Sequence, residues 1–382
     1  MRLFSSLLGN NLPATERRMS TKCRAAILVE PNQPLIIDEV EFPDPAADQV
    51  LVKLFASGVC HSQLHTMRRP ARSADRLPAL LGHESTGVVA ARGRDVRHVK
   101  EGDHVITTWV DRDNSRTNQP LVAHALNDRE QSIALWRGKQ VSHSAATWAE
   151  YAMAQERMVV ALPRDVPTDV TAVIGCAVMT GAGAIINTLQ VRPGQSVAVF
   201  GAGGIGLCAI AAAATVGAHP VIAVDVSEDK LAFARRFGAT HLINANEANS
   251  VQAIRELTNG GVDYAIDAIG LPRTQEQILH ATKMGFPGSH RGGTALLIGS
   301  TPPGSRAILD TSLFIGSRNF TRTSGGDCRP DRDFPLFVRW YQEGKLKLDE
   351  LVTRRYTLEQ INEAVDDLEH GRILGRAIIT YP

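Results

Sequence analysis

The hexapeptide Gly201-Ala202-Gly203-Gly204-Ile205-Gly206 limits the fold of this chain more than any other segment. Glycine-rich sextets of this spacing arise by chance, so the flanks decide. Before it, Val197-Ala198-Val199-Phe200 reads as a buried strand. After it, an apolar helix runs from Ile205 to about Val216. The next strand, Val221–Asp225, ends in an acid. That is the context a dinucleotide-binding turn requires. Gly201 allows the tight turn, Gly203 lets backbone approach a pyrophosphate, and Gly206 lets helix and strand pack closely. The helix N-terminus then offers unpaired N–H groups to phosphate. Asp225 sits where a carboxylate accepts from the adenosine 2′-hydroxyl and repels a 2′-phosphate, which favours NAD over NADP. The competing role for Asp225 is a helix N-cap, since Ser227 and Glu228 follow. Lys230 either helps hold the same ribose or is a solvated lysine on a first helical turn.

The pattern around this turn divides the chain. Residues from about 23 to 175 read as β-rich, with strands at 25–29, 50–54, 87–90 and 104–106. Asp111 to His143 is polar and aperiodic and reads as a long surface lobe. From Val178 strands and helices alternate: a helix Lys230–Phe237 closed by Gly238, then strands Asp263–Asp267 and Thr294–Ile298. Alternation of this kind predicts a doubly wound parallel sheet. After about Thr323 come helices Phe334–Gln342 and Leu358–Glu369 and an apolar strand Ala377–Thr380, a tail expected to rejoin the first domain.

With 382 residues, the chain is too long for one ordinary core and fits two domains. A net charge of +1 predicts no nucleic-acid or membrane partner. No apolar run reaches the roughly 18 residues that span a bilayer. The cysteines, at 23, 60, 176, 208 and 328, form no dense framework, so free or metal-bound thiols in a reducing compartment are expected. Residues 1–21 hold Arg2, Arg17 and Arg18 against Glu16. They read as a disordered tail, as sequence ahead of a start at Met19, or as a mitochondrial-type presequence, so the compartment is cytoplasmic or, on the last reading, the mitochondrial matrix.

Ser57-Gly58-Val59-Cys60-His61-Ser62, Leu81-Gly82-His83-Glu84 and Gly175-Cys176 each offer one zinc ligand. Two thiolates and one imidazole leave tetrahedral zinc one ligand short, the layout of a catalytic site. Singly, Cys60 and Cys176 read equally well as small core hydrophobes, and His83 as a satisfied core histidine. Cys208, inside an apolar helix, reads as a core cysteine.

Taken together, Gly58-Val59-Cys60-His61-Ser62, Gly82-His83-Glu84, Gly175-Cys176 with Thr180-Gly181, the glycine turn, Asp225 with Lys230, and Gly375-Arg376 resemble the zinc-dependent medium-chain alcohol dehydrogenase family, from about Lys22 to the C-terminus. The resemblance implies a β-rich GroES-like catalytic domain over 22–177 and 324–382 and a Rossmann NAD-binding domain over 178–323. It implies Cys60, His83 and Cys176 as catalytic zinc ligands, with Glu84 as an acid able to approach the metal. Ser62 and His65 match the family's proton relay; a hydroxyl can donate and accept at once, and histidine titrates near neutrality. His61 and Arg376 match pyrophosphate contacts. Thr180 and Ile205 match contacts on the two faces of the nicotinamide. Trp109 matches a substrate-pocket aromatic, with a core tryptophan as the rival reading. The implied reaction interconverts alcohols and aldehydes or ketones with NAD(H), in a homodimer or homotetramer joined through the cofactor domain.

This chain departs from the family in three places. Many members hold a second, structural zinc with four cysteines; here the corresponding positions fall near Asp113, Arg116, Gln119 and Asn127, and no cysteine lies between Cys60 and Cys176. One catalytic zinc and no structural zinc is therefore expected. Gln63 stands where the family usually has Asp beside the ligand histidine, and its carbonyl is expected to accept that hydrogen bond. The run Met284–Gly293, with His290 and Arg291, is glycine-rich and longer than usual. Other readings remain: a conjugated double-bond reductase, a thiol-dependent formaldehyde-adduct dehydrogenase, or a non-catalytic dinucleotide-binding protein. Gly325-Gly326-Asp327 with Arg332-Asp333-Phe334-Pro335 resembles a branch that holds NAD tightly.

Overall fold

The structure, a computed structural model, describes residues 19–68, 77–112, 134–143, 145–286, 288, 291–302 and 304–382. The positions near Asp113, Arg116, Gln119 and Asn127, the tail 1–18 and His290 lie outside the described residues. The N-terminal part carries β1 (Met19–Leu28), β2 (Ile36–Pro43), β3 (Gln49–Val59), β4 (Ala79–Leu80), β5 (Ser85–Arg92), β6 (His104–Thr107), β7 (Ala134–Trp136), β8 (Lys139–His143), β9 (Tyr151–Gln155) and β10 (Val159–Ala161). Strands β1, β2, β7, β8 and β4 close into a small barrel. Strand β3 is the spine beside it, pairing with β5 and β9 along its length. Its side chains are buried at almost every position, as a strand covered on both faces requires.

The central part carries β11 (Val197–Phe200), β12 (Val221–Asp225), β13 (His241–Asn244), β14 (Tyr264–Asp267), β15 (Thr294–Leu297) and β16 (Asn319–Arg322). All pairs are parallel, in the order β13-β12-β11-β14-β15-β16. The expected doubly wound sheet is present, and its order reverses between β11 and β14, where such sheets open a crevice for ligands. Helix Gly204–Thr215 leaves β11 and is buried from Gly206 to Ala213. It is apolar all round because sheet and helix Ala177–Gly183 cover it on different sides. Gly181 makes the helix–helix approach possible: a Cβ there would strike the Ile205 carbonyl. The chain ends with β17 (Val352–Tyr356) and β18 (Arg376–Thr380). Strand β18 pairs antiparallel with β3, Ala377 opposite Val59, so the C-terminus lies beside the segment that carries Cys60.

Several elements differ from the sequence expectation. The end of the expected lobe is a hairpin, β7–β8, turned by Arg137 and Gly138 at φ 50° and 76°. Two positive φ angles in a two-residue loop match strand twist, and a strand pair only three residues long shows too little alternation to read in sequence. Helix Pro330–Gln342 starts at Pro330, ahead of the expected Phe334. A proline fits the first helical position, and Asp331 and Asp333 suit the positive end of the helix dipole. The expected helix Leu358–Glu369 is a 3₁₀ turn, Leu358–Gln360, closed by a capping box from Thr357, followed by helix Ile361–Glu369.

Candidate metal and dinucleotide site

Strand register brings the first two candidate ligands together. Ser57 lies opposite Ser85, and Gly58 N–H donates to Glu84 O at 3.1 Å. Cys60 leaves the end of β3 as His83 and Glu84 enter β5, so their side chains meet. Gly58 is required here, because a Cβ would collide with the Glu84 carboxylate. The indole of Trp148 locks this edge by donating to Gly58 O at 3.1 Å. Cys176 arrives from the other side. The Thr108 hydroxyl donates to Gly175 O at 2.8 Å, and Gly175 sits against Thr107 O with no room for a side chain. Helix Ala177–Gly183 therefore begins with Cys176 at the site.

Ligand atoms of Cys60, His83, Glu84 and Cys176 all lie within 4.8 Å of one another. His83 Nε2 is 3.2 Å from Cys176 Sγ. Glu84 is fully buried, and the other three are nearly so. Two sulfurs and one imidazole nitrogen, with a carboxylate in reach, form a donor set suited to zinc.

Electrostatics separate these cysteines from the rest. Burial pushes the Cys23 and Cys208 thiols up to about 12, which makes them inert core groups. The Cys60 thiol lies well below its ordinary value, because hydrogen bonds from Cys176 and His83 outweigh burial. Cys176 is pushed well up by its bond to Cys60 and by burial. A cation between the two sulfurs would favour the thiolate form of both.

Glu84 also forms a buried ion pair with Arg376, the first residue of β18. Burial holds the Glu84 carboxyl above its usual range, while the Arg376 charge works against that. Burial would lower Arg376, but the charges of Glu84, Cys60 and Cys176 outweigh it and keep the guanidinium protonated. A Cβ on Gly204 would collide with the Arg376 side chain. The arginine thus touches the glycine turn as well as the ligand cluster. Its Nε has no hydrogen-bond partner among the described residues.

At the turn itself, Gly201 adopts φ 102°, a conformation side chains rarely reach. A Cβ on Gly206 would strike the Gly201 carbonyl, whereas one on Gly203 would meet nothing within 4 Å. Asp225 accepts from Ala202 N–H at 2.8 Å, Val226 N–H at 2.8 Å and Ser227 N–H at 3.1 Å. The helix N-cap is Ser227, which accepts from Lys230 N–H, so Asp225 is not the cap. Thr180 is buried on helix Ala177–Gly183, and Ile205 is half-buried on the neighbouring helix.

The remaining candidates surround the cluster. His61 begins helix His61–Met67 and is exposed. Ser62 donates to Cys60 Sγ at 3.5 Å. His65 lies three residues on, on the same helix face. Its Nε2 is 3.2 Å from Ser300 O, across the cleft in the segment after β15. The Trp109 ring stands edge-on to His83, centroids 6.5 Å apart. Gly325, at φ 63°, closes the backbone over the outer edge of that indole.

The chain as a whole is similar to known proteins. Residues 46–164 match the alcohol dehydrogenase GroES-like domain, and residues 204–343 match the zinc-binding dehydrogenase family. Alcohol dehydrogenase class-2 isozyme 2 of Oryctolagus cuniculus is 34% identical over 380 residues, covering 94% of this chain and 98% of its own. The chain belongs to the zinc-dependent medium-chain alcohol dehydrogenase family. It is an oxidoreductase. An S-(hydroxymethyl)glutathione dehydrogenase of Paracoccus denitrificans is 33% identical over 382 residues, 94% of this chain and 100% of its own. The crystal structure of benzyl alcohol dehydrogenase from Acinetobacter calcoaceticus superposes with a TM-score of 0.84 at 32% identity, covering 95% of this chain and 100% of that one.

Two features of this dehydrogenase were not visible in its sequence. Ser300 meets His65 through its backbone carbonyl, which no side-chain pattern marks. Gln63 turns its carbonyl to Gly82 N–H at 3.0 Å and places Nε2 2.6 Å from His83 Nδ1. The expected acceptor for the histidine is already engaged by the backbone. No helix among the described residues is long and apolar enough to cross a membrane.

Proposed function

We propose that this dehydrogenase interconverts alcohols and aldehydes or ketones with NAD(H), using one catalytic zinc held by Cys60, His83 and Cys176. The convergence of those ligand atoms beside the glycine turn carries this reading. When bound, zinc supplies Lewis acidity to the substrate oxygen and the nicotinamide exchanges the hydride. The chain supplies the rest. Cys60 and Cys176 bring two negative charges that neutralise the cation, and Glu84 stands close enough to enter the ligand set. The open space at Gly203 suits a pyrophosphate, with Arg376 as its cationic neighbour and His61, held neutral by desolvation and by the nearby Arg376 charge, as a hydrogen-bonding one. Thr180 and Ile205 flank the nicotinamide, Asp225 and Lys230 hold the ribose, and Trp109 walls the substrate pocket. Ser62 accepts the alcohol proton, and His65 passes it toward solvent.

Retention of both relay residues favours alcohol chemistry over double-bond reduction, which exports no such proton. Residues 22–177 and 324–382 form the catalytic part and 178–323 the cofactor part. Phe286, Ile308 and Ile315 are exposed in the cofactor part, where β16 is an edge strand of the sheet among the described residues, and they support a homo-oligomer joined through that part.

Kinetics across primary, secondary and aromatic alcohols test the reading. Cys60→Ser should abolish zinc retention and turnover while NAD binding persists. Loss of NAD binding in that variant, or unchanged turnover, contradicts it. His65→Gln should lower kcat about 100-fold while sparing the KM for NAD.

A further inference from the structure

We infer that Gln63 is a positioning residue that weakens the hold of His83 on its metal and makes the catalytic zinc exchangeable. The inference rests on His83 being a zinc ligand through Nε2, the nitrogen that faces Cys176. A neutral imidazole that gives Nε2 to a cation carries its proton on Nδ1 and must donate it. The group facing Nδ1, at 2.6 Å, is the Gln63 amide. The other end of that amide is committed: it lies 3.0 Å from Gly82 N–H, a backbone donor that cannot turn round. Gly82 is fixed at φ 92°, and a Cβ there would crowd Thr147 and Trp148, so the segment has no slack.

Two donors therefore compete for one carbonyl. With the carbonyl toward Gly82, the amide NH₂ points at His83 Nδ1 and favours the tautomer protonated on Nε2. In that tautomer a continuous donor chain runs from Gly82 through Gln63 and His83 to the Cys176 sulfur, but Nε2 is unavailable to a cation. With the amide flipped, its carbonyl accepts from Nδ1–H, and its NH₂ then opposes Gly82 N–H at 3.0 Å. Orientation of an amide is an assignment, yet the conflict survives either choice. A part-buried donor facing a donor is left without an acceptor, which is unfavourable. Zinc binding by His83 must bear that cost. A carboxylate at the same place has two acceptor oxygens for the two donors and removes the conflict.

Chelator competition on the full chain tests this, with zinc affinity as the readout. Gln63→Glu, nearly isosteric, should tighten zinc binding about 10- to 100-fold, the usual effect of such a partner. Its urea midpoint in excess chelator should match that of the unaltered protein. Gln63→Asp, with a shorter reach, should gain less. Equal or weaker zinc affinity in a folded Gln63→Glu overturns the proposal. If both variants fold poorly, the unaltered protein still decides, through ¹⁵N NMR of labelled histidine. His83 should carry its proton on Nε2 in chelator-treated protein and on Nδ1 when zinc is added. A proton on Nδ1 in both conditions overturns it. Unaltered protein that binds no zinc at all refutes the catalytic reading instead, so the two failures are distinguishable.

Discussion

Arg376 and Glu84 form a buried ion pair that ties the Cys60–His83–Cys176 cluster to the glycine turn. Glu84 is next to His83 in sequence, and Arg376 lies against Gly204. Removing one partner leaves a buried charge uncompensated. Arg376→Met should therefore destabilise the fold by about 3–5 kcal/mol, read as a lower urea midpoint. It should also raise the KM for NAD, since the same guanidinium borders the turn.

The glycines of the turn should separate binding from folding. A methyl on Gly203 meets nothing, while one on Gly206 collides with the Gly201 carbonyl. Gly203→Ala should keep the melting temperature and weaken NAD binding, because its methyl enters the space assigned to pyrophosphate. Gly206→Ala should lower the melting temperature. Calorimetry with NAD titration checks both; equal thermal effects contradict the assignment.

Asp225 should set the choice of dinucleotide. Its carboxylate is held by three backbone N–H groups at the end of β12, so its position is fixed. Asp225→Asn keeps an acceptor and removes the charge. The ratio of kcat/KM for NAD over NADP should fall by about tenfold or more, equivalent to 1.4 kcal/mol.

Asp263 should confer stability that depends on pH. Burial would raise its carboxyl, but hydrogen bonds from Lys283 and Ser196 outweigh that and hold it below its usual value. A lowered carboxyl contributes stability above its unfolded pKa, and the contribution fades as pH falls through the folded value. Asp263→Asn should cost about 1.5–3 kcal/mol near neutrality. The gap to the unaltered protein should narrow below about pH 4, seen in urea midpoints from pH 7 to 3.

Much of the fold was legible because its central strands carry their signal locally. Val197–Phe200 and Val221–Asp225 appear with the bounds read from sequence, since runs buried on both faces need no partner to be recognised. Strands β2, β9 and β17 were missed. Their place is set by pairing rather than by local alternation: β9 pairs with β3 about a hundred residues earlier, while β2 pairs with β1 just before it. The site showed the same division. Cys60, His83 and Cys176 were each marked by their own short context, and they meet. The Glu84–Arg376 pair joins residues 292 apart, and His65–Ser300 residues 235 apart, so only the folded chain reveals them. Gln63 was noticed as a departure, but the loss of its carbonyl to Gly82 became visible only in three dimensions.

On the proposed reading one zinc, held by Cys60, His83 and Cys176, is required for alcohol oxidation. The most direct measurement is alcohol-dependent NAD⁺ reduction by chelator-stripped protein titrated with zinc. Activity should be absent at the start, rise linearly and stop at one zinc per chain. Full activity before any zinc is added would contradict the account.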